Sequence, residues 1–414
     1  MSEYIFLFDL DSTITCKEIL PTIAEKVNGQ KEMRELTEAT MNGEIPFKSS
    51  FLKRVEILSV MNVSETRAMV AEIPLNENIA QFIRENRDRC YVVTGNLDIW
   101  INDLMRKLGL NDHVYCSRAN YKNDKITQVV SVIDKELTAK QFVQPLVVIG
   151  DGDNDSGMAQ VANISVGFGG IRDIAPSLIQ NIDYAFYDDN RCADFLEGNM
   201  IMGHDDISVV ICCAGMGTRL GIGTTKALVK IAGKSIIQRQ LEMLDEYDDI
   251  RVAVGYQAEK VIKEVKHIRK DVMFAFNNDY RKTGSGVSLS KTLIGARKYV
   301  VIMDGDLLIN RDDFNRFMSE PQECISVCES HSSEPIYLAV SNNEVNEFLR
   351  SPSKYEWGCL SKVLSSRLIA GAQGIDEMLQ PLLPLKAVPM RIRDLDTQDD
   401  YERMIQWYNT GMMD

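Results

Sequence analysis

The regular pattern of the chain begins with Tyr4-Ile5-Phe6-Leu7-Phe8-Asp9-Leu10-Asp11-Ser12-Thr13, an apolar run that ends in two carboxylates. Further short apolar runs follow, most of them rich in β-branched residues and followed by Gly, Asp or Asn. They are residues 90–93, 146–149, 164–166, 207–212, 251–254, 272–276 and 299–303. Such runs, separated by amphipathic stretches, are typical of buried parallel strands with helical crossovers. The sequence predicts an α/β protein with two doubly wound, mostly parallel sheets, whose functional residues follow the carboxyl ends of strands.

The same pattern predicts two domains. A length of 414 residues corresponds to two or three domains at ~150 residues each. The polar stretch 197–206 interrupts the pattern, and a new apolar run and a glycine-rich turn follow it. We therefore expect one domain over residues 1–200 and a second over residues 206–414. Residues 16–85 contain helical stretches without a convincing strand, so we expect them to form a helical cap over a site.

Composition and charge exclude several classes of protein. With 45% hydrophobic and 26% charged residues, the chain has ordinary globular composition, which argues against extensive disorder. The net charge of −14 makes it a poor general binder of nucleic acid or anionic membranes. No apolar run approaches the ~20 residues of a membrane span, and the N-terminus lacks the basic region of a secretory signal. The nine cysteines show no disulfide framework, so we expect a cytoplasmic protein with reduced thiols.

A first group of polar residues follows the strands predicted in the first half. Asp9 and Asp11 lie two apart at a strand end, where one carboxylate can attack phosphorus while the other protonates the leaving oxygen. Thr94 and Gly95 end the next run with a hydroxyl and backbone amides suited to a phosphoryl oxygen. A lysine at a helix start and a carboxylate cluster suited to Mg²⁺ complete the group: Lys135, Asp151, Asp153 and Asp155.

This ordered set resembles the haloacid dehalogenase-like phosphatase superfamily over about the first 200 residues. The resemblance implies that Asp9 is a nucleophile that forms an aspartyl-phosphate, and that Asp11 is the general acid and base. It also implies that Thr94 and Lys135 hold the phosphoryl group. Two other lysines near the expected position remain alternatives: Lys125 and Lys140.

The resemblance further implies a Mg²⁺ site and a class of substrate. The implied ligands and their supporting carboxylate are Asp9, the carbonyl of Asp11, Asp151 and Asp155. Glu18 and Arg54 resemble the phosphoserine phosphatase branch, in which a Glu and an Arg read the amino and carboxylate groups of the substrate. The alternative is that both are ordinary solvated helix charges. Gly95 and Asn96 border the implied substrate pocket, and Asn96 replaces a glycine that is usual in that branch.

A second group of residues follows the apolar run 207–212. The turn Gly215-Met216-Gly217-Thr218-Arg219-Leu220 combines glycines, which allow phosphates to approach the backbone, with a guanidinium. Lys226 adds a further cation. Two acidic stretches follow later apolar runs, and they are Met303-Asp304-Gly305-Asp306 and Asp394-Leu395-Asp396-Thr397.

This second group resembles the sugar-phosphate nucleotidyltransferases, in particular the choline-phosphate cytidylyltransferase-like members. The resemblance implies that Arg219 and Lys226 bind phosphates, with Gly215 and Gly217 forming the loop. It implies Mg²⁺ ligands at Asp306 and Asp396, with Asp304 as a helper, and it favours CTP as the nucleotide. One departure is Thr225, where the family usually has proline before the lysine.

The two resemblances together imply a bifunctional enzyme. A Mg²⁺-dependent phosphomonoester phosphatase would be fused to a nucleotidyltransferase that activates a small phosphorylated alcohol or sugar for surface polymer synthesis. Tyr355 and Trp357 either line the acceptor pocket or are surface aromatics. The competing interpretation is that only one domain is catalytic and that the other is a regulatory module binding a nucleotide or a phosphate.

Overall fold

The structure is a computed structural model that describes residues 4–27, 29–41, 44–198, 207–217, 220–221 and 223–411, without the side chains of residues 38 and 41. The chain divides into two compact units, Met1–Gly198 and Asn199–Asp414. Within the described ranges no helix combines the length and the apolar composition needed to cross a membrane.

The first unit is a sheet with helices on its faces. Its strands are β1 Ile5–Phe8, β2 Cys90–Leu97, β3 Val114–Lys122, β4 Lys125–Ser131, β5 Leu146–Gly150, β6 Ile164–Phe168 and β7 Tyr184–Phe186. Its helices are α1 Ile19–Ala24, α2 Gln30–Met41, α3 Phe47–Leu58, α4 Val63–Ala71, α5 Glu77–Glu85, α6 Asp98–Leu108, α7 Lys135–Ala139, α8 Ser156–Val161, α9 Pro176–Ile179 and α10 Asp189–Glu197. The strand order is β7-β6-β5-β1-β2-β3-β4. All neighbouring pairs are parallel except β3 and β4, so the predicted doubly wound α/β class is confirmed.

The register of the central strands decides where the site forms. Phe8 at the end of β1 lies beside Ile149 of β5 and Val92 of β2. All three side chains are buried, as expected for strands covered on both faces. The residues that follow β1, β2 and β5 therefore leave the sheet at one edge.

A helical insertion separates β1 from α5. Its entry and exit meet in a bridge between Thr15 and Leu75. Helices α1 to α4 lie between these points, within the range where we expect a cap. The cap is shorter than the expected range of 16–85, because Phe82 of α5 packs against Phe6 and Phe8 of β1, with ring centroids 5.0 and 6.2 Å apart. Helix α5 therefore covers the sheet, and the insertion ends at about Leu75.

The hairpin of β3 and β4 was not among the predicted strands. Most residues of β4 are exposed, so the hairpin lacks the continuous apolar run that marks a buried strand. Its turn is made by Asn123 and Asp124, which have φ of 50° and 62°. Two successive left-handed residues of these types are characteristic of a type I′ hairpin turn.

The second unit contains a mixed sheet. Its strands are β8 Ile207–Cys212, β9 Lys230–Ile231, β10 Lys234–Ser235, β11 Ile250–Val254, β12 Val272–Phe276, β13 Tyr299–Asp304, β14 Leu308–Ile309, β15 Cys324–Glu329, β16 Tyr337–Ser341, β17 Glu344–Leu349, β18 Tyr355–Leu364, β19 Leu385–Pro389 and β20 Ile392–Arg393. Its helices are α11 Ile236–Glu242, α12 Ala258–Ile268, α13 Ser285–Thr292, α14 Arg311–Met318, α15 Ile375–Leu379 and α16 Gln398–Asn409.

The predicted strands of this unit form its parallel part, in the order β12-β11-β8-β13. Strand β18 then pairs antiparallel with β13 and with β15. The apolar-run criterion missed β18 because buried polar residues interrupt it, among them Glu356, Ser361 and Lys362. The predicted α/β class is confirmed here too, with an antiparallel extension that the sequence pattern did not indicate.

Candidate active sites

Asp9 and Asp11 lie where β1 leaves the sheet. The backbone N–H of Asp9 donates to the carbonyl of Ile149 over 2.8 Å, which continues the pairing of β1 with β5. The Asp11 carboxylate accepts hydrogen bonds of 2.7 Å from the N–H of Ile19 and from the Asn96 amide. Ser12 follows with φ of 61°, a left-handed conformation that turns the chain toward the cap. Burial raises the pKa of Asp9 well above its usual range and also raises the pKa of Asp11.

Lys135 joins two carboxylates of this cluster. Its Nζ lies 2.6 Å from Asp9 Oδ1 and 2.6 Å from Asp155 Oδ1, and all three side chains are buried. Desolvation lowers the pKa of Lys135, but the charges of Asp155 and Asp9 outweigh it and raise the pKa overall. The ammonium is therefore kept charged. The alternative lysines bind elsewhere: Lys125 donates to the carbonyl of Val60, and Lys140 pairs with Glu136.

Three carboxylates converge on one point. Oxygens of Asp9, Asp151 and Asp155 lie within 4.8 Å of one another. Asp155 Oδ2 accepts from the N–H groups of Asp151 and Gly152 over 3.1 and 2.9 Å, which fixes its orientation. Burial raises the pKa of Asp151 to about 7, and its Oδ1 is buried without a hydrogen-bond partner among the described residues. An orphaned carboxylate oxygen beside two others fits a divalent cation.

The end of β2 supplies the residues expected to hold a phosphoryl group. Asn96 donates from its side-chain amide to Thr94 Oγ1 over 3.0 Å as well as to Asp11. Both side chains are buried. A Cβ on Gly95 would lie 2.6 Å from Cζ of Phe47 in α3, so the Phe47 ring packs directly against this glycine. Asn96, at the position of the expected second glycine, thus supports Asp11.

Glu18 and Arg54 face the same cavity as Asp9, Asp11 and Asn96. Arg54 is 7% exposed, and its Nε has no hydrogen-bond partner among the described residues. Burial lowers the pKa of the Arg54 guanidinium and raises the pKa of Glu18. Both side chains therefore belong to the lining of this cavity.

Sequence reasoning missed Arg172, which lies in the same cavity. Its Nε donates to Asp151 Oδ2 over 2.7 Å, and its Nη1 lies 2.6 Å from Glu18 Oε1. The residue follows β6, so it leaves the sheet at the same edge as the residues after β1 and β5. That strand-end position was the available signal.

The second candidate site is built around Lys226. Its Nζ lies 2.8 Å from Asp306 Oδ2, just after β13, and 2.6 Å from Asp396 Oδ1, just before α16. Desolvation lowers the pKa of Lys226, but the charge of Asp306 and the two hydrogen bonds raise it overall. Because the Lys226 ammonium contacts both carboxylates, Asp306 and Asp396 point toward one common cation position. This donor set of hard oxygens fits a divalent cation.

The loop before Lys226 packs closely against the Lys226 side chain. Gly217 has φ of 57°, and a Cβ there would lie 3.0 Å from Cγ of Lys226. Thr225 has φ of −65°, the value that proline would impose, so the replacement keeps the backbone conformation. Arg219, expected to bind phosphates, lies outside the described residues.

Two cavities of this unit share the residues Lys226, Asp304 and Asp306. The first is also lined by the loop glycines Gly215 and Gly217, by Tyr280, and by Ser285 and Ser288 of α13. The second is lined by Trp357 and by an acidic group comprising Glu334, Glu356, Asp394 and Asp396. Trp357 thus lines a cavity, whereas Tyr355 does not line either of them. Burial raises the pKa of Asp304 to about 7 and that of Asp394 to about 6.

Comparisons with known proteins agree with this division. Residues 6–160 match the haloacid dehalogenase-like hydrolase family, and residues 209–388 match the MobA-like NTP transferase domain. The phosphoserine phosphatase of Methanocaldococcus jannaschii is 29% identical over 179 residues, which cover 40% of this chain and 84% of that protein. The phosphoserine phosphatase of Lactococcus lactis is 26% identical over 179 residues, covering 40% and 82%.

Solved structures are similar to each part separately. A phospho-aspartyl intermediate analogue of phosphoserine phosphatase is 26% identical, with a TM-score of 0.40, over 45% of this chain and 93% of that one. The CTP:phosphocholine cytidylyltransferase of Streptococcus pneumoniae is 21% identical, with a TM-score of 0.41, over 49% and 99%. On the family matches and the curated relatives, the chain joins an N-terminal haloacid dehalogenase-like domain of the phosphoserine phosphatase type to a C-terminal MobA-like NTP transferase domain.

Proposed function

We propose that the chain is a bifunctional enzyme, a Mg²⁺-dependent phosphomonoester phosphatase and a CTP-dependent nucleotidyltransferase. The observation that carries the first activity is the buried cluster in which Lys135 bonds both Asp9 and Asp155. The observation that carries the second is the convergence of Asp306 and Asp396 on Lys226.

In the phosphatase reaction, a carboxylate oxygen of Asp9 attacks the phosphorus of the substrate. A bond forms between Asp9 and phosphorus while the bond from phosphorus to the substrate oxygen breaks. Asp11, whose pKa is raised by burial, gives its proton to that oxygen. Water then attacks the phosphorus of the aspartyl-phosphate and gives a proton to Asp11, the bond between phosphorus and Asp9 breaks, and phosphate leaves. The Lys135 ammonium offsets the charge of the phosphoryl oxygens, and the Thr94 hydroxyl helps to orient them.

The divalent ion of this site would be held by Asp9 and Asp151, with Asp155 in support. Bound there, it would supply positive charge that reduces the repulsion between the two anions and offsets negative charge on the phosphoryl oxygens. Mg²⁺ is proposed because the donor set consists of carboxylate oxygens, which suit hard cations.

In the transferase reaction, an oxygen of the acceptor's phosphate attacks the α-phosphorus of CTP, and pyrophosphate leaves. The nucleotide would occupy the cavity beside the Gly215–Gly217 loop, and the acceptor would occupy the cavity lined by Trp357. Lys226 lies at the junction of the two, where the anions meet, and it offsets their charge. Asp306 and Asp396 would hold Mg²⁺ there.

The proposed product is a nucleotide-activated small alcohol or sugar for a surface polymer. The support for this is the presence of two phosphoryl chemistries in one chain, which is an argument by analogy. A phosphatase that hydrolysed the acceptor of the transferase would destroy its substrate. The two pockets must therefore accept different phosphomonoesters or act at different steps.

The test is a matrix of nucleoside triphosphates against small phosphomonoesters, assayed for phosphate and for pyrophosphate. We expect pyrophosphate with CTP and a phosphomonoester acceptor, and phosphate from a second phosphomonoester. Failure of every triphosphate to yield pyrophosphate would contradict the transferase function. Failure of every phosphomonoester to yield phosphate would contradict the phosphatase function.

A further inference from the structure

Arg172 lies in the loop 169–175 between β6 and α9. The backbone N–H of Ala175 donates to the carbonyl of Asp151 over 2.9 Å, which ties this loop to the turn after β5. A Cβ on Gly152 of that turn would lie 3.7 Å from Nη2 of Arg172. The guanidinium thus packs against the acidic turn.

The guanidinium connects the acidic turn to the start of the cap. It lies 2.7 Å from Asp151 and 2.6 Å from Glu18, the residue just before α1. The Arg172 side chain is 29% exposed and lines the cavity. Charge-assisted hydrogen bonds of this length are among the strong ones. The negative charge of Glu18 is therefore already compensated within the protein.

Arg54 adds a second guanidinium to the same cavity. It is buried, and its Nε has no hydrogen-bond partner among the described residues. A buried charged donor of this kind is costly unless a ligand supplies an acceptor. The cavity also holds the carboxylates of Asp9 and Asp11, which belong to the reacting end. Away from them, Arg54 Nε offers an unused donor, whereas the Glu18 carboxylate is already engaged by Arg172.

We propose that Arg172 determines the substrate class of the phosphatase domain. By pairing with Glu18, it turns a potential ammonium site into part of an anion site, so the preferred phosphomonoester carries a carboxylate and needs no ammonium group. The inference rests on the proposed phosphatase function. A carboxylate in the cavity would accept from Arg54, whereas an ammonium would have to compete with Arg172 for the Glu18 carboxylate.

The test compares phosphoserine with 3-phosphoglycerate, which carries a hydroxyl group where phosphoserine carries the ammonium. Full-length wild type, Arg172→Gln and Glu18→Gln are assayed, with Arg106→Gln of an exposed helix ion pair as the matched control. We expect wild type to hydrolyse 3-phosphoglycerate with a kcat/KM at least equal to that for phosphoserine. Arg172→Gln should raise the ratio of kcat/KM for phosphoserine to kcat/KM for 3-phosphoglycerate by about tenfold, mainly through KM. The reason is that Glu18 no longer pairs with residue 172 and can bind the ammonium.

Glu18→Gln should change this ratio of kcat/KM values by less than about threefold relative to wild type. The control Arg106→Gln should also change it by less than about threefold. A wild-type preference for phosphoserine of about tenfold that is lost in Glu18→Gln would overturn the inference, whether or not Arg172→Gln folds. An unchanged ratio in folded Arg172→Gln would overturn it too. Absence of phosphate release from both compounds and from p-nitrophenyl phosphate would instead contradict the phosphatase function itself.

Discussion

The ammonium of Lys226 lies 2.6 Å from a carboxylate oxygen of Asp396, although 170 positions separate the two residues in the chain. The same ammonium contacts Asp306, so it joins two acidic stretches that belong to different elements. A cation position shared by these carboxylates exists only because β13 and the segment before α16 reach the same point. This relationship leads to the first prediction.

Replacing Asp306, Asp396 or Lys226 by alanine should slow pyrophosphate release by about a hundredfold or more. Each aspartate replacement removes a ligand of the proposed cation, and the lysine replacement removes a positive charge from the point where two anions meet. Phosphate release should stay at the wild-type rate, since these residues lie in the other unit. The control is Lys234→Ala, which removes an exposed lysine that pairs with Glu242. Wild-type pyrophosphate release by Asp306→Ala would place the cation site elsewhere.

Asp9→Asn should abolish phosphate release, because an amide cannot form the aspartyl-phosphate. Nucleotidyl transfer should survive. The matched control is Asp103→Asn, at an exposed carboxylate that pairs with Arg106 on α6. Phosphate release by Asp9→Asn within about tenfold of wild type would refute the role of Asp9 as nucleophile.

The acid role of Asp11 predicts a dependence on pH. Burial raises its pKa, so the carboxyl keeps its proton to higher pH than an ordinary aspartate. As pH rises through this pKa, the acid form is lost and kcat/KM should fall. Asp11→Asn should remove this limb and slow alkyl phosphomonoesters by about 10²–10⁴-fold. The effect on p-nitrophenyl phosphate should be smaller, because its leaving group needs no proton, and equal losses on both substrates would argue against acid catalysis.

Arg54→Ala should cost about 1.5–3 kcal/mol in kcat/KM for a substrate that carries a carboxylate, the value of one charge-assisted contact. The comparison is 3-phosphoglycerate against glycerol 3-phosphate, which lacks the carboxylate. Lys53→Ala, one position earlier and exposed, is the control. If Arg54→Ala leaves the ranking of the two substrates unchanged, the cap does not read the carboxylate.

Metal removal should stop phosphate release, and Mg²⁺ should restore it. Mg²⁺ should also raise the melting temperature of the first unit, because it relieves repulsion among Asp9, Asp151 and Asp155 and binds only the folded state. Asp151→Asn should reduce this rise, which calorimetry would measure independently of activity. A melting temperature that does not respond to Mg²⁺ in wild type would contradict the proposed site.

Much of the fold followed from local pattern. The continuous apolar runs predicted β1, β2, β5 and β6 in the first unit, and β8, β11, β12 and β13 in the second, because buried parallel strands need apolar side chains on both faces. The exposed hairpin of β3 and β4 and the polar-interrupted β18 escaped this criterion. The end of the cap was placed too late, because an amphipathic helix such as α5 looks the same in sequence whether it covers a sheet or a cap.

The sequence by itself determined the α/β class and the positions of Asp9, Asp151 and Asp306 just after strands, since periodicity and turn residues are local properties. The tertiary structure alone decided that Lys135, among three nearby lysines, reaches Asp9, and that Lys226 meets Asp396. It alone revealed Arg172 between Glu18 and Asp151. Such contacts join residues far apart in the chain, so they depend on strand register and helix packing, which no short stretch of sequence encodes.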